Sequence, residues 1–147
     1  MEPYRDGVAG SEADRSVLVV ALGGNVLGLD RMTGAVRWTN SLPGGGSHEV
    51  FVALRYGVLA VSAWGSKVFR LDYLTGATLW AADTTGSGRA TIVVEHDLIV
   101  VGKSGYLDGY DHGGRRLWSQ SLSGKGTGRL ALGFPGNVAQ ADDPGGQ

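Results

Sequence analysis

The stretch "LDYLTGATLW", residues 71–80, reads as a strand end, a tight turn and the start of a second strand that closes on a tryptophan. It has counterparts: "LDRMTGAVRW" spans residues 29–38, and "YDHGGRRLW", residues 110–118, is a third copy one residue shorter. Trp38, Trp80 and Trp118 therefore lie 42 and 38 residues apart. That spacing is within or close to the period of a four-stranded propeller blade, so the repeat decides the fold.

The flanking segments recur in step. Ahead of each turn lies an apolar strand, "VLVVAL" (17–22), "VLAVSAW" (58–64) or "LIVVG" (98–102), followed by a glycine-bearing hairpin. Glycine there supplies the positive φ that tight hairpins need. A short strand then ends in Asp30, Asp72 or Asp111. These carboxylates can accept hydrogen bonds from turn N–H groups, as Asx side chains do. Thr33 and Thr75 offer the same more weakly, while Gly34, Gly76 and Gly114 permit left-handed backbone angles. Each tryptophan is large enough to cover the seam between neighbouring sheets if its indole N–H finds an acceptor.

The pattern D-x-x-T-G-x-x-x-W, behind an apolar strand and a glycine hairpin, resembles the tryptophan-docking repeat of the pyrroloquinoline-quinone-like (PQQ-like) β-propellers. The resemblance covers about residues 16–140 and implies an all-β chain of four-stranded antiparallel blades. That family includes quinoprotein alcohol dehydrogenases, an outer-membrane assembly scaffold and sensor domains. The dehydrogenases need a vicinal disulfide over the quinone, which a chain with no cysteine cannot form. No cofactor, metal ligand or catalytic residue is therefore carried over, and the expected protein is not an enzyme.

Counting strands from the axis outward gives about three blades. Blade one has its second to fourth strands within 17–42, blade two spans 48–83 and blade three 89–122. Residues 1–15 lack repeat character and offer no inner strand for blade one, and residues 141–147 read as a flexible tail. A spare inner strand is expected at 129–134. Three blades would leave two apolar faces in water, so self-association is expected. The preferred arrangement is a homodimer forming one six-bladed ring, with 129–134 of each chain completing blade one of its partner. A nine-bladed trimer, a three-blade monomer and docking onto another protein's blades stay open.

Composition limits the partners. Net charge is −1, with 13 basic and 14 acidic residues interspersed, which disfavours nucleic acid and anionic membranes. There is no signal-like start and no apolar run long enough to span a bilayer, so a cytoplasmic or particle-associated location is expected.

Few polar residues escape the repeat. His48, His96 and His112 occupy unrelated positions and read as scattered surface groups. The glycine-rich stretches at 44–47, 84–88 and 123–128 lack the P-loop pattern and read as crossovers between blades. Glu95, Asp97 and Asp108 are unexplained. Trp64 lies on an extended hairpin, "SAWGSK", where it can anchor a partner or cover its own sheet. Arg70 stands where the equivalent strands have glycine. Arg55, Arg89, Arg129 and Glu95 belong to inner strands and are candidates for an interaction or an anion site in the channel. The function these residues imply is a structural or protein-interaction module that presents loops to a larger assembly, including a virion; the alternative is a propeller with a small-molecule site in its channel.

Overall fold

A computed structural model describes residues 14–46, 48–126 and 130–139. They form antiparallel sheets with no helix. Blade one pairs β1 (Val17–Leu22), β2 (Asn25–Asp30) and β3 (Val36–Asn40) in that order. Blade two is β4 (Phe51–Arg55), β5 (Val58–Ser62), β6 (Lys67–Leu71) and β7 (Thr78–Asp83). Blade three repeats this with β8 (Ala90–Val94), β9 (Ile99–Lys103), β10 (Tyr106–Tyr110) and β11 (Arg116–Ser121). Blades two and three are complete four-stranded propeller blades, and blade one has three strands among the described residues.

Local sequence sets the hairpins. Leu22 pairs Asn25, Arg55 pairs Val58 and Lys103 pairs Tyr106 across two-residue loops. Both loop residues have positive φ in each case: Gly23 and Gly24, Tyr56 and Gly57, Ser104 and Gly105. That is the tight turn whose twist matches the strands. In these hairpins Tyr56 and Ser104 take the conformation without being glycine, as Leu42 does in the crossover after β3.

Packing then follows from alternation along the strands. In β5, Leu59 and Val61 face blade one, joining Val17, Val26, Trp38 and Phe69 in one apolar cluster. Val58 and Ala60 face blade three, joining Ile92, Ile99, Val101 and Tyr110 in another. A strand covered on both faces carries no polar alternation, and all five β5 residues are buried.

The chain's C-terminal segment departs from expectation. In place of a lone inner strand over 129–134, β12 (Leu132–Phe134) folds into a hairpin with β13 (Asn137–Ala139). The cause is local: Pro135 fixes its own φ, and Gly136 takes φ 75°. β12 and β13 lie beside β8. Thr91 Oγ1 donates to the Leu130 carbonyl, and Asn137 Nδ2 donates to the Val94 carbonyl. The hairpin thus takes the first two strand positions of a fourth blade, and β13 covers the edge of β12 that lending to another chain would use. Arg129 and the segments 1–13 and 140–147, which include the expected tail, lie outside the described residues.

Candidate functional site

The three turns share one hydrogen-bond plan. Asp30 Oδ1 accepts from the N–H groups of Met32 (2.9 Å) and Thr33 (3.0 Å), and Asp72 Oδ1 from those of Leu74 (2.9 Å) and Thr75 (3.0 Å). In the shorter third turn, Asp111 Oδ1 accepts from Gly113 and Arg115. Thr33 and Thr75 accept in turn from Ala35 and Ala77. The bond from Met32, then that from Thr33, holds the Asp30 carboxyl below its ordinary pKa. The closing glycines Gly34, Gly76 and Gly114 have φ of 76°, 76° and 93°.

Two tryptophans reach the next blade's turn. Trp38 Nε1 donates to the Tyr73 carbonyl at 3.1 Å, and its ring lies between Gly28 of its own blade and Gly76 of the next. A Cβ on either glycine would overlap the ring. Trp80 Nε1 donates to the His112 carbonyl at 2.8 Å above Gly114. Trp118 covers Gly109 in its own blade and is 40% exposed. Arg70 pairs across the sheet with Trp80, where the other blades have glycine. Its Nη1 donates to the same His112 carbonyl at 3.0 Å, so the substitution serves the blade seam.

Charged groups bury themselves at the seam between blades two and three. Asp108, 1% exposed, accepts from Thr85 N–H, Thr85 Oγ1 and Ser119 Oγ. Burial pushes its pKa up, but the bonds from Ser119 and Thr85 outweigh that and hold it below the ordinary value. Lys103 is also 1% exposed, and its ammonium donates to the carbonyls of Ala63 (2.7 Å) and Gly65 (2.6 Å). Burial brings its pKa down to about 8. Nothing in the repeat announced Lys103; the available signal was a basic residue ending an otherwise apolar middle strand. Tyr73 was equally hidden: its hydroxyl donates to the Val17 carbonyl (2.6 Å) and accepts from Val17 N–H (2.9 Å), tying blade two to blade one.

The lysine fixes the loop that carries Trp64. Between the Ala63 and Gly65 carbonyls, that of Trp64 accepts from Gly88 N–H at 2.6 Å. Three successive carbonyls are therefore held from blade three and from the crossover leading into it. Around the indole gather His48, with ring centroids 5.5 Å apart, and Arg89, whose guanidinium lies 6.0 Å from the ring centre. Arg89 also pairs with Glu49 at 3.2 Å. This cluster is the candidate site, at the end of the blades where crossovers and middle hairpins meet.

The opposite end holds a second group. Arg55 lies 4.9 Å from the centre of the Tyr56 ring, which packs on His96 at 3.7 Å. Glu95 accepts from Asn137 Nδ2, its carbonyl bonds His112 Nε2, and Asp97 is exposed beside it. Arg89 precedes β8 and Glu95 follows it, so the length of that strand, about 20 Å from one to the other, separates them. The inner-strand set of Arg55, Arg89, Glu95 and Arg129 is thus not brought together: Arg55 and Glu95 share one end, Arg89 occupies the other, and Arg129 is outside the described residues.

Blades of this pattern with tryptophans laid on the neighbouring turn define a PQQ-like propeller. The chain belongs to the family described as outer membrane protein assembly factor BamB, which matches residues 2–141. Among solved structures, BamB from Moraxella catarrhalis is 24% identical with a TM-score of 0.59, over 80% of this chain and 36% of that one. A europium-containing methanol dehydrogenase is 20% identical (TM-score 0.58), covering 72% of this chain and 23% of the enzyme. A computationally designed protein, Ika8, is 18% identical with a TM-score of 0.68, covering 86% and 42%. The chain spans less than half the length of each, and these likenesses establish the fold. No curated protein matches. The residues present do not fit a quinone site of the kind described above: the chain has no cysteine, and no group of three His, Cys, Asp or Glu able to hold a metal occurs among the described residues.

Proposed function

We propose that this chain is a non-enzymatic protein-interaction module, a set of propeller blades that presents fixed loops to a larger multiprotein assembly. The observation that carries the reading is the Trp64 loop. Its three successive carbonyls are held by Lys103 and Gly88, and its indole is flanked by Arg89 and His48. A rigid aromatic beside arginine is the composition of a protein-binding hot spot, and a preformed loop loses little entropy on association. Membership in a family described by an assembly factor supports the same reading.

The test compares immobilised wild type with Trp64→Ala and Arg89→Ala variants of unchanged melting temperature. A protein retained from a cell extract by wild type and lost from both variants is expected. Identical retention by all three would overturn the assignment to this surface. Alcohol oxidation by the chain supplied with pyrroloquinoline quinone and calcium would overturn the non-enzymatic reading.

A further inference from the structure

Trp38 and Trp80 define a socket made of two parts. One is the carbonyl of the residue after the turn aspartate, Tyr73 or His112; the other is the left-handed glycine that closes the turn, Gly76 or Gly114. Blade one contains the same socket, formed by Asp30, the Arg31 carbonyl and Gly34. Its turn is fully hydrogen-bonded, yet nothing lies within 4 Å of a Cβ placed at Gly34. Blade three contains the matching knob. Trp118 is seated against Gly109 as Trp38 is against Gly28, but it is 40% exposed, compared with 8% for Trp38.

We propose that Trp118 of one chain docks on the Asp30–Gly34 turn of a second copy, donating its indole N–H to the Arg31 carbonyl and laying its ring on Gly34. The contact continues an interface the chain already makes twice within itself. It also covers apolar surface on both sides: Leu117 is 45% exposed beside the knob, and Met32 is 85% exposed beside the socket. Knob and socket lie on opposite end blades, so each docking joins unlike surfaces, and a two-fold axis makes the pair of dockings reciprocal. Two copies related by a two-fold axis satisfy both contacts and close six blades into a ring. In that ring β1 of one chain takes the place beside β12 of the other, and the three-residue β13, whose Val138 is 62% exposed, gives way. The proposal rests on the interaction-module reading, with the chain itself as partner.

The experiment measures mass by light scattering after size exclusion for wild type, Trp118→Ala, Gly34→Asn, and an equimolar mixture of the two variants. Asn tolerates the left-handed conformation, so the turn survives while its side chain blocks the ring. Wild type at the mass of two chains, each variant at the mass of one, and the mixture restored to two is the expected result. The mixture pairs the intact Trp118 of one variant with the intact socket of the other, which requires that both are folded. A single-chain wild type, a two-chain Trp118→Ala variant, or a mixture that stays monomeric would overturn the proposal. Neither substitution touches the Trp64 end, so failure of self-association leaves extract binding there to be judged separately.

Discussion

Trp38 and Trp118 hold equivalent places in blades one and three, each opposite a glycine of its own sheet, and differ in what lies beyond. Trp38 meets the Gly76 turn, finds the Tyr73 carbonyl and is 8% exposed; Trp118 is 40% exposed. The middle strands show the same contrast. Leu59 and Val61 of β5 are fully buried, whereas Leu18 and Leu22 of β1 are 58% and 71% exposed. A propeller blade is thus a unit whose apolar content is realised only against a neighbour, and the energetic value of one motif depends on its place in the row.

The sharpest way to break this comparison is to truncate both indoles. Trp38→Ala removes a buried ring and its hydrogen bond and is expected to cost about 3–5 kcal/mol, whereas Trp118→Ala, measured in dilute monomer, should cost about 1 kcal/mol. Urea unfolding of both variants checks the difference; equal costs would show that Trp118 is already seated within the isolated chain.

The second effect lies at the covered seam. Lys103→Met leaves the Ala63 and Gly65 carbonyls without their donor, for an expected loss of about 1–3 kcal/mol at pH 7. Its pH dependence has a fixed sign. Folding lowers the lysine pKa to about 8, from about 10.4 in the unfolded chain, so between these values the unfolded state binds more protons. Stability contributed at this position therefore rises with pH across that window. The difference between wild type and Lys103→Met is expected to grow by on the order of 3 kcal/mol when both are titrated with urea from pH 7.5 to 10.5. A flat difference would mean that Lys103 keeps its unfolded pKa.

Repetition made the blades legible, because Asp, Gly and Trp at fixed offsets do the same local work in every copy. What repetition could not reveal is what happens between copies. Lys103, Tyr73 and Arg70 break the repeat, and each sends its side chain to the backbone of a neighbouring blade or turn. Their roles depend on how blades stack, which no local pattern encodes. Asp108 was visible as an unexplained carboxylate, but its partners Thr85 and Ser119 lie 23 and 11 residues away in sequence. Trp64 was marked by the length of its hairpin, whereas the lysine that fixes that loop comes from the next blade. The Pro135–Gly136 turn was readable in principle, since that dipeptide marks a hairpin. The apolar pattern of 129–134, which matches the inner strands, carries no sign of the strand that follows the turn.

A smaller contrast tests whether seam bonds matter one at a time. Asn40, two residues after Trp38, donates to the Gly76 carbonyl and Thr78 Oγ1 of blade two and accepts from Leu42 N–H. Gln120, two residues after Trp118, is exposed, and its side-chain amide donates to the adjacent Ser121 carbonyl. Asn40→Ala should cost about 1 kcal/mol and Gln120→Ala less than about 0.5 kcal/mol, read from the shift in the urea midpoint.

The smallest expected effect is the most informative about blade one. Leu22 ends β1 at 71% exposure, on a strand that pairs β2 alone among the described residues. In dilute monomer, Leu22→Ala should shift stability by no more than about 0.5 kcal/mol, because little apolar area leaves water when the chain folds. At concentrations where two copies associate, the same substitution should weaken the complex, since β1 then lies against β12 of the second chain. Running the urea titration at both concentrations separates these cases: a cost that appears only in the associated state ties Leu22 to the intermolecular seam. A cost already present in the monomer would mean that blade one's open face is covered within a single chain, and the contrast between the seated and unseated ends would fail at its plainest residue.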